Sequence, residues 1–167
     1  VVLEGPEGRD TLSGVERIGF EGGAFLYDLT DPGDTAAEDL LGLGYRLYAA
    51  ALGRLPGEAG LRHWHGRLME GMPPGDLAAA FAEAPEFRDG PGAGDDAALV
   101  DALFVAVLGR PPAETGRAHW TEALATGAID RPGLLLAFAG AAETRALTAP
   151  DLENGVVVLA ETDALLL

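Results

Sequence analysis

The chain has no cysteine and no lysine among its 167 residues. The first absence excludes disulfides, a thiolate nucleophile and any cysteine-held metal. It suits a protein that leaves the cell without oxidative folding. The second leaves arginine as the sole strong cation: 11 basic residues face 27 acidic ones, for a net charge of −16. Such a field repels nucleic acid and anionic lipid and favours solubility or divalent cations, so no nucleic-acid partner is expected. Ser13 is the only serine, and the chain contains no G-x-S-x-G, P-loop, GxGxxG or HExxH motif. No carboxylate pair is marked out for glycosidic chemistry, and no enzyme is expected. No apolar run approaches the ~20 residues of a membrane span, and the terminal ALLL is too short to anchor. The chain starts Val1-Val2 without a basic region and apolar stretch, so it reads as a fragment or processed piece lacking a Sec-type signal.

What is present is globular. Hydrophobic residues make up 48% of the chain, too many for disorder, and the length suits one domain with a real core. Residues 1–31 carry β patterning. VERIGF and AFLYDL alternate around the glycines of EGG, with Val15, Ile18 or Phe20, Phe25 and Tyr27 competing for the buried face. After DPGD the period changes. TAAE at 35–38 is a capping box, and the apolar-rich run that follows predicts a helix stopped by Gly53. Pro56 starts a second helix reaching about Glu70, PPGD opens a third, and APEF closes the unit. GPGAGDD at 90–96 reads as a flexible connector ending in an Asp N-cap, and Asp130 caps a later helix, LLLAFAGAAE. The expected fold is mainly α with a small β appendage. A β-hairpin segment spans 1–31, two tandem three-helix units span 35–92 and 93–148 and pack as one helical domain, and 149–167 forms a C-terminal strand or linker. Within the last segment APDLENG reads as a turn and GVVVLAE as strand-like.

The units are expected because the chain repeats itself. LGRLPGEAGLRHW at 52–64 returns as LGRPPAETGRAHW at 108–120, and Leu52, Gly53, Arg54, Pro56, Glu58, Gly60, His63, Trp64, Leu68 and Gly71 each recur 56 residues on. Phe81 and Glu86 recur at 57, as Phe138 and Glu143, after a one-residue insertion. Most of this motif has a structural task. Gly53 and Gly109 can take the left-handed conformation that ends a helix. Gly60 and Gly116 lie inside the second helix, where glycine costs roughly 1 kcal/mol against alanine, which suggests close approach of another backbone. Gly60, Trp64 and Leu68 share a face, so Trp64 and Trp120 are expected to plug a small helical core. Candidate binding residues are Arg54, Arg110, His63 and His119. The arginines either clamp a carboxylate or acidic sugar, or cap carbonyls and pair with Glu58 or Glu86 (and their counterparts) within their own unit. HWH at 63–65 sets His63 and His65 at i and i+2, on different helix faces, so no histidine metal site is expected. No cofactor is expected. Calcium is the one cation the acidic stretches DPGD and GDD suggest, although neither an EF-hand loop nor a glycine-aspartate nonapeptide repeat is present.

YRLYAAALGRLPGEAGLRHWHGRLMEG with AEAPEFRDG, and again LFVAVLGRPPAETGRAHWTEALATG with FAGAAET, resemble the DUF4214 domain family across roughly residues 10–150. The upstream DTLSGVERIGFEGGAFLYDL resembles the β segment that often precedes it in secreted and cell-surface bacterial proteins, including calcium-binding repeat exoproteins. The resemblance implies an all-helical unit similar to phycobilisome linker domains, in an extracellular or surface setting, with no implied activity. Family members often carry Asp directly after the motif proline, where this chain has Gly57 and Ala113, and Tyr before the Trp, where it has His63 and His119. The function expected is a non-catalytic assembly or adhesion module contacting other subunits or domains of a larger surface protein. The alternatives are a carbohydrate-binding module, stacking Tyr45, Tyr48 or Trp64 on capsule or matrix polysaccharide, and an accessory domain of a secreted hydrolase.

Overall fold

The structure is a computed structural model. It describes the backbone of residues 2–5, 8–11, 17–19, 24–27, 35–153 and 156–159, and the side chains of residues 42–152 other than Glu58, His65, Met69 and Asp151. Short strands flank the helices: β1 (Val2–Gly5), β2 (Gly8–Thr11), β3 (Arg17–Gly19), β4 (Ala24–Tyr27) and β5 (Val156–Leu159). β1 pairs antiparallel with β2, and β3, β4 and β5 form an antiparallel sheet in that order, with Phe25 opposite Val158. The EGG turn of the expected hairpin, the side chains Val15, Ile18, Phe20, Phe25 and Tyr27, and the Thr35 and Glu38 side chains of the capping box lie outside the described residues.

The described body is mainly helical. α1 (Thr35–Leu52), α2 (Glu58–Met69), α3 (Pro74–Glu83) and α4 (Pro85–Asp89) form one unit, and α5 (Asp96–Leu108), α6 (Glu114–Ala125), α7 (Arg131–Gly140) and α8 (Ala142–Glu153) the other. Each unit thus has four helices where the sequence suggested three. The third and fourth helices are parted by a single extended residue, Ala84 (φ −59°, ψ 135°) or Ala141 (φ −61°, ψ 143°). Pro85 disfavours a helical Ala84, and at the second break the Thr144 hydroxyl donates to the Phe138 carbonyl at 2.7 Å. APDLENG differs too: α8 continues through Pro150 to Glu153. An interior proline loses a backbone donor and crowds the carbonyl four residues back, yet the helix runs on, and Leu152 packs towards Gly42 of α1.

The punctuation has a local cause. Gly53 (φ 64°) and Gly109 (φ 66°) are left-handed, each donating its N–H to the carbonyl four residues back, Ala49 or Val105, at 3.1 Å. Gly71 and Gly127 are also left-handed and close α2 and α6 with paired bonds, including Met72 N–H to Arg67 O and Ala128 N–H to Ala123 O. Pro56 and Pro112 stand one residue before the N-caps Gly57 and Ala113, rather than inside the second helices. Asp95 caps α5, accepting from Ala98 N–H at 2.9 Å, and Asp130 caps α7, accepting from Gly133 N–H at 2.8 Å.

One core joins both units. Leu47, Tyr48, Leu77, Phe81, Leu99, Leu103, Leu134 and Leu135 are buried in it. α3 and α7 pack side by side at its centre, and α1 packs on α7 as well as on its own partner α2. The connector at 90–96 is held in place. Residues Pro91–Ala93 make a single 3-10 turn, and Arg131 at the start of α7 donates to Gly92 O (2.7 Å), Gly94 O (2.9 Å) and the Asp96 carboxylate (3.0 Å).

Candidate functional site

The repeated motif builds one constellation twice. In the first unit Phe81 receives the edge of Tyr48 (centroids 4.9 Å, 87°) and the tilted indole of Trp64 (5.7 Å, 41°). In the second unit Phe138 receives Phe104 (5.1 Å, 81°) and Trp120 (5.6 Å, 49°) in nearly the same poses. Each triad takes one aromatic from the first, second and third helix of its unit, so it fixes how the three cross. Edge-on aromatic pairs of this kind add about 0.5–1.5 kcal/mol beyond the area they bury.

Above each triad sits the repeated arginine. The left-handed glycine turns the chain so that Arg54 lies over the Tyr48 ring at 5.3 Å and Arg110 over Phe104 at 5.7 Å. Each then reaches the first turn of the unit's last helix. Arg54 holds both oxygens of Glu86 (2.7 and 3.0 Å), and Arg110 those of Glu143 (2.8 and 3.1 Å). Both carboxylates also favour their helix N-termini. The two candidate binding arginines are therefore internal staples between the end of a unit's first helix and the start of its last. The pairs are roughly half-exposed, so each contributes only about 0.2–1 kcal/mol.

His63 and His119 are exposed and lie edge-on to the following indole, at 4.7 Å (82°) and 5.0 Å (72°). They stand in different units, and among the described residues no group of three or more His, Asp or Glu gathers to hold a metal ion. In GDD, Asp95 is the α5 cap and Asp96 the partner of Arg131; DPGD lies outside the described residues. Trp64 is 8% exposed and Trp120 only half-buried. The Trp64 indole N–H meets no acceptor among the described residues. At Gly116 a Cβ would meet the Phe104 ring at 3.5 Å, an ordinary contact. The close approach of another backbone expected there is not found, and the Phe104 ring leaves room for a Cβ.

Three further arginines escaped the sequence reading. Arg46 is 3% exposed in the middle of α1 and donates from Nε to the Ala139 carbonyl at 2.6 Å, at the negative end of the α7 dipole. Gly42 makes room for it, since a Cβ there would stand 2.7 Å from its guanidinium. The available signal was an arginine embedded in YRLY, with Ala102 as its repeat partner. Arg131, described above, occupies the position of Pro74, so the repeat again gave no warning. Arg117 forms a forked ion pair with Asp101 on exposed surface, and that hydrogen-bonded carboxylate raises the arginine's pKa above its usual value. The equivalent positions in the first unit are Leu61 and Tyr45, both buried.

The fold and the twin constellation define a duplicated four-helix module in which the repeated residues bind one another. Residues 45–91 and 78–148 match the family described as a domain of unknown function, DUF4214, and the chain belongs to that family. No curated protein and no solved structure matches the chain.

Proposed function

We propose that the chain is a non-catalytic assembly and adhesion module of a secreted or surface-displayed bacterial protein, acting through contacts with other proteins. The observation that carries this reading is that the residues written twice are engaged inside each unit: Arg54 and Arg110 by Glu86 and Glu143, Trp64 and Trp120 by Phe81 and Phe138. What recurs is thus a rigid scaffold, and its outer faces are left to do the work. The acidic charge keeps such a module off nucleic acid, and no helix among the described residues is long and apolar enough to cross a membrane. Of the aromatics a carbohydrate module would stack on sugar, Tyr45, Tyr48 and Trp64 are buried and Trp120 is half-buried.

The test is to place a photo-crosslinking residue at exposed positions such as Val105 and Ala118. The labelled chain is exposed to surface-protein extracts of the source bacterium, and in parallel to a glycan array with and without calcium. Discrete protein adducts are expected. Glycan binding without protein adducts would overturn the assembly reading.

A further inference from the structure

The two units share a core, and the chain passes from one to the other through the connector at residues 90–95. Across the joint α7 packs on α3 and α1, Arg46 donates to the Ala139 carbonyl, and Leu152 of α8 reaches Gly42. Beyond α8, β5 pairs with β4 of the chain's first part, so it belongs to the same joint. The connector crosses in a tight bend that leaves its glycines no room. A Cβ would stand 2.7 Å from the Glu86 carbonyl oxygen at Gly90, 2.5 Å from the Phe87 ring at Gly92, and 2.8 Å from the Ala98 Cβ at Gly94. A side chain clamps this bend. The Asp96 carboxylate orients Arg131, whose guanidinium also donates to the Gly92 and Gly94 carbonyls at 2.7 and 2.9 Å. Arg131 and Asp96 both belong to the second unit, so only the two carbonyl bonds depend on the bend. The first unit has Pro74 at the position of Arg131, which makes the clamp a feature of the joint and not of the repeat.

We infer that this connector is a latched hinge: once Arg131 lets go of the two carbonyls it straightens, and two copies of the chain exchange their second units to form a dimer. In that dimer α7, α8 and β5 of one copy seat on α1, α3 and β4 of the other. Every contact of the closed joint is made again, so the partner is fixed by an interface already present within one chain. What differs is the connector. Pro91 disfavours a helical Gly90, so α4 and α5 do not fuse as it opens, and residues 90–95 fully extended reach about 20 Å. Within a chain the joint closes at an effective concentration on the order of millimolar, so the latched protein is a monomer at micromolar concentration. Losing the two carbonyl bonds, or the room the bend needs, destabilises the closed form alone. This goes beyond the assembly reading and asks nothing of the outer faces on which that reading rests.

The experiment is sedimentation of the full chain in high salt, which screens the repulsion between acidic copies. Arg131→Ala removes the clamp, and Gly92→Ala crowds the bend while leaving Arg131 in place. Arg117→Ala, which breaks an exposed ion pair on α6, is a control of equal charge change. Circular dichroism confirms that each is folded. Wild type and Arg117→Ala should be monomers at micromolar concentration. Arg131→Ala and Gly92→Ala should each gain at least about tenfold in dimer association constant, with no larger species, because a reciprocal exchange closes. Wild type refolded from urea at near-millimolar concentration should yield the same dimer. Subunits of an exchanged dimer trade places only when the joint opens. Tagged and untagged dimers should therefore mix slowly, and faster in urea. If Gly92→Ala fails to fold, Arg131→Ala carries the test. Hinge variants as monomeric as the control, or dimers that mix within seconds on dilution without urea, would overturn the inference. The crosslinking experiment decides the assembly reading separately in either case.

Discussion

Installing the missing helix cap on α6 is the sharpest test of how the repeated corner works. Four helix starts can be compared. At α5 and α7 the N-cap is Asp, and each carboxylate accepts from the backbone N–H three residues on, at 2.9 and 2.8 Å. At α2 and α6 the N-caps are Gly57 and Ala113, already extended (φ −74°, ψ 165° and φ −67°, ψ 153°) but with no side-chain acceptor. Ala113→Asp should accept from the Gly116 N–H without backbone rearrangement. Replacing Ala by a capping residue stabilises by about 1 kcal/mol. The favourable helix dipole adds about 0.3–1 kcal/mol, and neighbouring Glu114 together with the net charge of −16 acts against it. The expected net gain is about 1 kcal/mol, or about 2–4 °C in Tm at this chain length. Gly57→Asp should gain only a few tenths of a kcal/mol, because glycine is itself an acceptable cap. Thermal and urea melts of both variants decide the matter, and Ala113→Asn separates the hydrogen bond from the charge. An Ala113→Asp protein no more stable than wild type, or matched by Gly57→Asp, would refute the reasoning.

Other perturbations follow from the same packing. Gly53→Ala and Gly109→Ala force a Cβ into left-handed backbone and should each cost about 1 kcal/mol or more, whereas Gly116→Ala should be neutral or stabilise by up to ~1 kcal/mol, since its Cβ lands 3.5 Å from the Phe104 ring; urea midpoints would show the contrast. Trp64→Ala should lose about 3–5 kcal/mol and Trp120→Ala distinctly less, because the first indole is buried and the second only half-buried; equal losses would argue against that difference. A double-mutant cycle on Arg110 and Glu143 should return a coupling of about 0.2–1 kcal/mol that shrinks in high salt.

How much of this was legible in the sequence depended on whether a residue acted on its near neighbours or on the other unit. The helix stops at Gly53 and Gly109 and the caps at Asp95 and Asp130 were legible, because a left-handed turn or an N-cap is decided within a few residues. The pairing of Arg54 with Glu86 was among the alternatives the repeat allowed, since both members recur. Arg46, Arg131 and the Arg117–Asp101 pair were not legible. Each replaces an apolar residue at its repeat position or is replaced by one, and its partner lies in another helix or the connector. A duplicated sequence reveals what the copies share. It is silent on the joint between them, where they have to differ.

Arg46 sits at that joint. Inside one chain, the contact between the units carries a buried polar bond: a guanidinium on α1 donates to the Ala139 carbonyl near the end of α7. The corresponding residue of α5 is Ala102, which offers no such donor. Any contact made there lacks that bond and should part more readily than the joint within the chain.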